Sequence, residues 1–131
     1  MARARLVAAP RWAPRPLTAD EQDVLDLLLS ADFPGAPDLR IQATSAQSVG
    51  GCACGCPSID LLVADQAAPR APMPGRLVPA ELQVEPDADG VPGSVILFVD
   101  DGLLSYLEYV YYTDEVPTTW PTTAQLSVSL R

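Results

Sequence analysis

The run Val95-Ile96-Leu97-Phe98-Val99, followed at once by Asp100-Asp101-Gly102 and then by residues 103–112, constrains the fold more than any other part of the sequence. Five consecutive apolar residues rich in β-branched side chains have no polar face to offer water. Such a strand belongs in the middle of a sheet with both faces covered. Asp-Gly supplies the positive φ angles that a tight two-residue turn requires, so residues 103–112 are expected to return beside the apolar strand.

The rest of the chain is read against this hairpin. Thr18-Ala19-Asp20-Glu21 has the spacing of a capping box, in which Thr18 accepts from the Glu21 amide and Glu21 reaches back to the Thr18 amide. Asp20, Glu21 and Asp23 suit the positive end of a helix dipole. Val24, Leu25, Leu28 and Leu29 then form an apolar stripe at helical spacing, and Phe33-Pro34-Gly35 ends the helix. Beyond that point the period falls to two. Leu39, Ile41 and Ala43 alternate with polar residues and predict a strand, as do Ile59, Leu61 and Val63. Val78, Ala80, Leu82 and Val84 predict another, which Pro79 marks as an edge. Residues 66–75 read as a Pro-rich loop, 87–90 as a turn, and Ala124, Leu126, Val128 and Leu130 as the last strand.

One helix followed by about six strands, mostly linked by hairpins, predicts an α+β fold with the N-terminal helix packed on an antiparallel sheet. A length of 131 residues suits one domain. The expected division is an irregular basic arm over 1–16, holding Pro10, Pro14, Pro16 and a Trp12 tucked against the body, and a single domain over 17–131.

Net charge is −9, and it is uneven. Four of the eight arginines precede Leu17, so the remainder carries seventeen acids against four arginines. Such a body repels nucleic acid and anionic lipid and draws basic partners. The longest apolar run is far too short to span a bilayer, and Leu6-Val7-Ala8-Ala9 is too short for a secretory core; a cytoplasmic location is the expectation. The sequence has no histidine and no lysine. That removes Ser-His-Asp and Cys-His catalysis, imidazole-ligated metals, Schiff-base chemistry and the phosphate-binding Walker lysine.

Three groups of residues carry the remaining chemistry. Cys52, Cys54 and Cys56 lie in Gly50-Gly51-Cys52-Ala53-Cys54-Gly55-Cys56-Pro57, and an extended chain puts all three on one face. They read either as small packed apolar side chains in a Gly-rich turn or as a metal or redox site. Zinc as the metal would need a fourth ligand such as Asp60. Asp100, Asp101 and Glu108 on or beside the Asp-Gly hairpin, with Arg40, form a carboxylate set suited to acid–base work or to a hard cation, although Asp at a turn has its own backbone role. Tyr106, Tyr109, Tyr111 and Tyr112 crowd one strand, with Trp120 following. With Glu108 they are the expected partner-binding surface, since exposed aromatic residues beside acids favour protein contacts.

The segments Cys54-Gly55-Cys56-Pro57-Ser58-Ile59-Asp60-Leu61, Asp101-Gly102-Leu103-Leu104-Ser105-Tyr106-Leu107-Glu108 and Trp120-Pro121, with the opening Leu17-Thr18-Ala19-Asp20-Glu21, resemble a family of small actinobacterial proteins of unknown function. The Asp-Gly-x-Leu-Ser-x-Leu-Glu hairpin is also similar to that of predicted immunity proteins of bacterial toxin systems. With the acidic body, the tyrosine-rich strand and the absence of catalytic machinery, the expectation is a non-enzymatic protein-binding domain without a cofactor, and the resemblance points to a toxin-neutralising immunity protein with a basic toxin as its partner. It assigns no catalytic residue. A metal or redox module on the three cysteines is the alternative.

Overall fold

The computed structural model describes residues 11–85 and 90–131. The fold is α+β. Among the described residues two α-helices, α1 (Ala19–Leu28) and α2 (Ala36–Ala43), accompany seven strands: β1 (Arg11–Pro16), β2 (Ala46–Gly51), β3 (Ile59–Val63), β4 (Ala80–Val84), β5 (Gly93–Asp100), β6 (Leu103–Tyr111) and β7 (Leu126–Leu130). The strands form one sheet in the order β1-β2-β3-β6-β5-β4-β7, antiparallel at every pairing. Among the described residues no helix is long and apolar enough to cross a membrane.

The hairpin that anchors the sequence reading anchors the sheet. β5 and β6 pair from Gly93↔Tyr111 to Asp100↔Leu103, and both turn residues have positive φ, Asp101 at 55° and Gly102 at 78°. β5 lies inside the sheet with β6 and β4 beside it, as its unbroken apolar run demands. Val95, Leu97, Val99, Leu107 and Tyr109 meet Val24, Leu25, Leu28 and Leu29 of the α1 region in one core. The opposite face is also closed around β6. Ile96, Tyr106, Glu108 and Val110 are buried there, with Asp60 paired beside Tyr106. β6 is therefore covered on both faces.

The capping box of α1 is complete: Glu21 N donates to Thr18 Oγ1 at 3.2 Å and Thr18 N to Glu21 Oε1 at 2.8 Å. Arg15 of β1 adds a fork onto both Glu21 oxygens at 2.9 and 3.0 Å. That fork ties the first strand to the start of the first helix.

Four expectations are corrected. Residues 39–44, expected to form a strand, lie instead in and at the end of helix α2 (Ala36–Ala43). Ala36, Leu39 and Ala43 are buried at helical spacing, Ile41 points to solvent, and Pro37 sits in the first turn, where a missing N–H costs nothing. Residues 11–16, expected to be irregular, form edge strand β1, and prolines are tolerated there because an edge needs fewer ladder donors. The remainder of that arm, 1–10, lies outside the described residues, as do 87–89 of the expected turn. β4 is interior rather than an edge; Pro79 precedes its first residue, and its carbonyl accepts from Arg131 N at 2.9 Å. The strand β2 was not anticipated at all.

Buried Gln42 locks the two halves of the fold together. Its amide nitrogen donates to Pro69 O and Gly102 O, both at 2.8 Å, and its carbonyl accepts from Leu104 N at 2.9 Å. One side chain thereby satisfies the Pro-rich loop and the β5–β6 turn, whose backbone groups have no ladder partners of their own.

Candidate functional site

The cysteines occupy the connection between β2 and β3. Gly51↔Ile59 is the last ladder pair, so residues 52–58 form the loop. Gly55 N donates to Cys52 O at 3.3 Å, closing a turn, and Gly55 itself has φ of 91°. A left-handed residue at that point folds the chain back toward the sheet. The thiols therefore converge by a turn and not, as the spacing suggested, by lying on one face of an extended strand.

The convergence is close. The three Sγ atoms lie within 4.8 Å of one another, and Cys52 Sγ is 2.7 Å from Cys54 Sγ. Backbone amides add to it: Cys54 N donates to Cys52 Sγ and Cys56 N to Cys54 Sγ, each at 3.4 Å. Cys56 is buried, with its Sγ in hydrogen-bond contact with Ser58 Oγ at 3.3 Å. Ser58 Oγ also accepts from Tyr109 N at 2.9 Å, so the cluster is fastened to the central strand.

The electrostatics single out one sulfur. Burial raises the Cys54 thiol, but hydrogen bonds from Cys52, Cys56, the Cys56 amide and Tyr111 outweigh it and bring it down to about 7. Cys52 goes the other way, pushed up to about 12 by burial first and then by donating to Cys54. Burial also raises Cys56, and its proton too is held toward Cys54. At neutral pH the cluster is a partly ionised Cys54 thiolate, exposed to solvent, that accepts from two protonated neighbours.

A cavity of about 400 Å³ opens beside the loop, with Cys52 and Cys56 on its wall together with Trp12, Arg15, Glu21 and Trp120. The Arg15 guanidinium stands over the Trp12 ring, 5.5 Å from its centroid, and the Trp12 ring packs directly on Gly51, where no Cβ would fit. Trp120 stacks on Tyr109, with centroids 5.9 Å apart and 18° between planes. Its Nε1 is buried and has no hydrogen-bond partner among the described residues.

The other candidates are dispersed. Asp100 pairs with Arg76 at 2.6 Å and accepts from Ser105, while exposed Asp101 pairs with Arg70 at 3.1 Å. Glu108 is fully buried on the second face of the sheet. Arg40 does not meet it; the guanidinium donates to Leu29 O at 2.7 Å and Ala31 O at 2.9 Å, closing the end of α1. No acid–base constellation assembles from these groups. Asp60 is not a fourth ligand beside the thiols; its carboxylate lies 3.5 Å from Arg11. Of the aromatic set, Tyr106, Tyr109 and Trp120 are buried, Tyr111 is half-buried and Tyr112 is exposed. Burial raises the Tyr106 phenol, as does the nearby Glu108. The cavity was not visible in the sequence, because Trp12 and Trp120 lie more than a hundred positions apart.

Comparison with family models, with curated proteins and with solved structures finds no match to the chain.

Proposed function

We propose that the protein binds a soft d¹⁰ metal ion, Cu(I) first among them, through Cys52, Cys54 and Cys56. The observation that carries this is the mutual approach of the three Sγ atoms to within 4.8 Å. Metal–thiolate bonds of about 2.3 Å set three trigonal sulfurs roughly 4 Å apart, a spacing reached here by small side-chain rotations. Among the described residues the potential ligands of this group are the three cysteines alone. A tetrahedral zinc site needs a fourth ligand, whereas a three-thiolate set suits Cu(I), whose softness matches sulfur. The exposed Cys54 leaves one side of the site open, which suits an ion that is taken up and handed on more than one that is built in.

Protons oppose the ion. Cys52 and Cys56 hold theirs at neutral pH, so binding releases them and affinity falls steeply as pH drops. The test is an anaerobic titration of reduced protein with Cu(I) against a chromophoric chelator. The expected result is one ion per chain and protection of all three thiols from alkylation, with binding lost in Cys54→Ser. Unprotected thiols at saturation, or an unchanged Cys54→Ser variant, would overturn the reading. Running Zn(II) in parallel separates the two metals.

The alternative of an acidic domain that captures a basic toxin is supported by the charge of −9. Of the six residues expected to make its surface, Tyr106, Glu108, Tyr109 and Trp120 are buried, which leaves Tyr111 and Tyr112 to carry it.

A further inference from the structure

Among the described residues the two edges of the sheet are β1 and β7. β1 carries Pro14 and Pro16, the charges of Arg11 and Arg15, and an irregular register against β2. Each of these discourages a foreign strand from adding to an edge. β7 reads Leu126-Ser127-Val128-Ser129-Leu130, with no charge and no proline, and its register against β4 is unbroken. An edge without such devices is a template for pairing.

The phase of the β4–β7 ladder shows which groups that template offers. Glu85 N donates to Gln125 O at 2.8 Å and Arg131 N donates to Pro79 O at 2.9 Å. With the register Ala80↔Leu130 to Val84↔Leu126, the odd-numbered residues of β7 are the hydrogen-bonded partners of β4. The N–H and C=O groups of Val128 and Leu130 and the C=O of Leu126 therefore face the open edge, while the Leu126 N–H donates to Thr123 O. Their side chains share the helix face of the sheet. Leu126 is buried there, while Val128 and Leu130 are 37% and 57% exposed.

We propose that the protein self-associates through β7, two copies pairing antiparallel about a twofold axis at Val128 so that one sheet runs through both. The strand sequence is a palindrome about Val128. A twofold axis there sets Val128 against the partner's Val128 and Leu126 against the partner's Leu130. Val128 offers both of its backbone groups there and Leu126 its C=O to the Leu130 N–H of the second copy, so strand phase and side-chain pairing call for the same alignment. Opposed side chains in such pairs lie about 5 Å apart on one face. The exposed Val128 and Leu130 thus gain an apolar neighbour each, and Ser127 meets the partner's Ser129 on the other face. The self-complementary strand sequence selects a second copy of this chain at this edge. Two bodies of net charge −9 repel, and β7 is an uncharged margin where they can meet. Arg131 next to it is held by Glu81 at 2.8 Å and would stand opposite the partner's Gln125.

Sedimentation equilibrium of the metal-free, reduced chain from about 1 μM to 1 mM tests this, spanning the affinities of weak and standard-sized interfaces. A concentration-dependent dimer is expected, lost in Val128→Pro and in Val128→Lys. The proline removes an N–H that β4 does not use, so the ladder within the chain survives. The lysine sets like charges across the axis. Hydrogen exchange gives a second readout: protection of the Val128 and Leu130 amides rises with concentration, while the Ser127 and Ser129 amides are protected throughout. A monomer across the whole range, or a dimer that both variants leave intact, overturns the proposal. A different protein captured at β7 by a chain that stays monomeric would do the same.

Discussion

Between β5 and β6 the chain reverses over Asp101 and Gly102; between β2 and β3 it takes residues 52–58 to do so. The short turn is held from outside. Gln42 accepts and donates to its backbone, Ala71 N donates to Gly102 O at 2.9 Å, and Arg70 and Arg76 pair with Asp101 and Asp100. The long turn is held largely by itself, through contacts among Cys52, Cys54, Cys56 and Ser58. Polar groups satisfied by the rest of the fold become structural. Groups that have mainly one another keep their chemistry, which is why the thiol hairpin and not the paired carboxylates of the short turn is the candidate site.

The comparison is sharpest at the glycine of positive φ in each turn. A Cβ on Gly102 would meet Ala71 O at 2.7 Å and Arg70 Cβ at 3.0 Å, in addition to the backbone strain at φ 78°. Gly102→Ala is expected to cost about 3 kcal/mol, read as a lower urea midpoint at unchanged slope. A cost below about 1 kcal/mol would show that the Pro-rich loop yields easily and that the short turn is not held from outside.

The thiol turn should respond in reactivity instead. Cys54 lies near 7, so alkylation of the reduced protein by iodoacetamide should rise with pH to half its maximum at about pH 7, the thiolate being the nucleophile. In Cys54→Ser the remaining thiols have lost the group that draws on their protons but keep the burial that raises them, and alkylation at pH 7 should fall at least tenfold, about 1.4 kcal/mol in barrier. Thermal unfolding should hardly change. Mass spectrometry of the modified peptide identifies the first thiol to react; a label found first on Cys52 would reverse the electrostatic order.

The short turn and its strands were legible in the sequence because each local signal agreed with its surroundings. Asp-Gly, the apolar run 95–99 and the Thr18–Glu21 cap all mean the same thing in isolation and in the fold. Residues 39–44 were not, since Leu39, Ile41 and Ala43 alternate as well as they spiral, and six residues cannot separate the two periods. Pro37 after Gly35 was the signal that favoured a helix. Gln42 was unreadable for a different reason: its partners at Gly102 and Leu104 lie some sixty positions away. The cysteine spacing suggested one face of an extended chain; the closeness of the thiols depends instead on the left-handed Gly55, and the cavity beside them on Trp12 and Trp120.

Gly55 offers the counterpart to Gly102. No atom lies within 4 Å of a Cβ built there, so Gly55→Ala carries backbone strain alone, about 1 kcal/mol. If the two turns differ as described, this variant unfolds close to the natural midpoint and yet binds Cu(I) more weakly, because a less left-handed residue 55 lets Cys56 drift from the other sulfurs. Equal losses at both glycines would erase the distinction between them.

The smallest effect should come from the acids that look most like a site. Arg70 and Asp101 are largely exposed, at 58% and 92% of their side-chain surface, and water screens a pair of that kind to well under about 1 kcal/mol. Arg70 also donates to Asp101 O at 2.7 Å, a contact that Arg70→Ala removes together with the ion pair. The turn keeps Gln42 and the Ala71 amide, so the urea midpoint should move by no more than about 0.5 kcal/mol, and the shift should vanish in high salt. A larger loss that salt does not reduce would mean that Arg70 works through the packing of its aliphatic stem beside the turn. The short turn would then depend on the Pro-rich loop for shape as well as for charge.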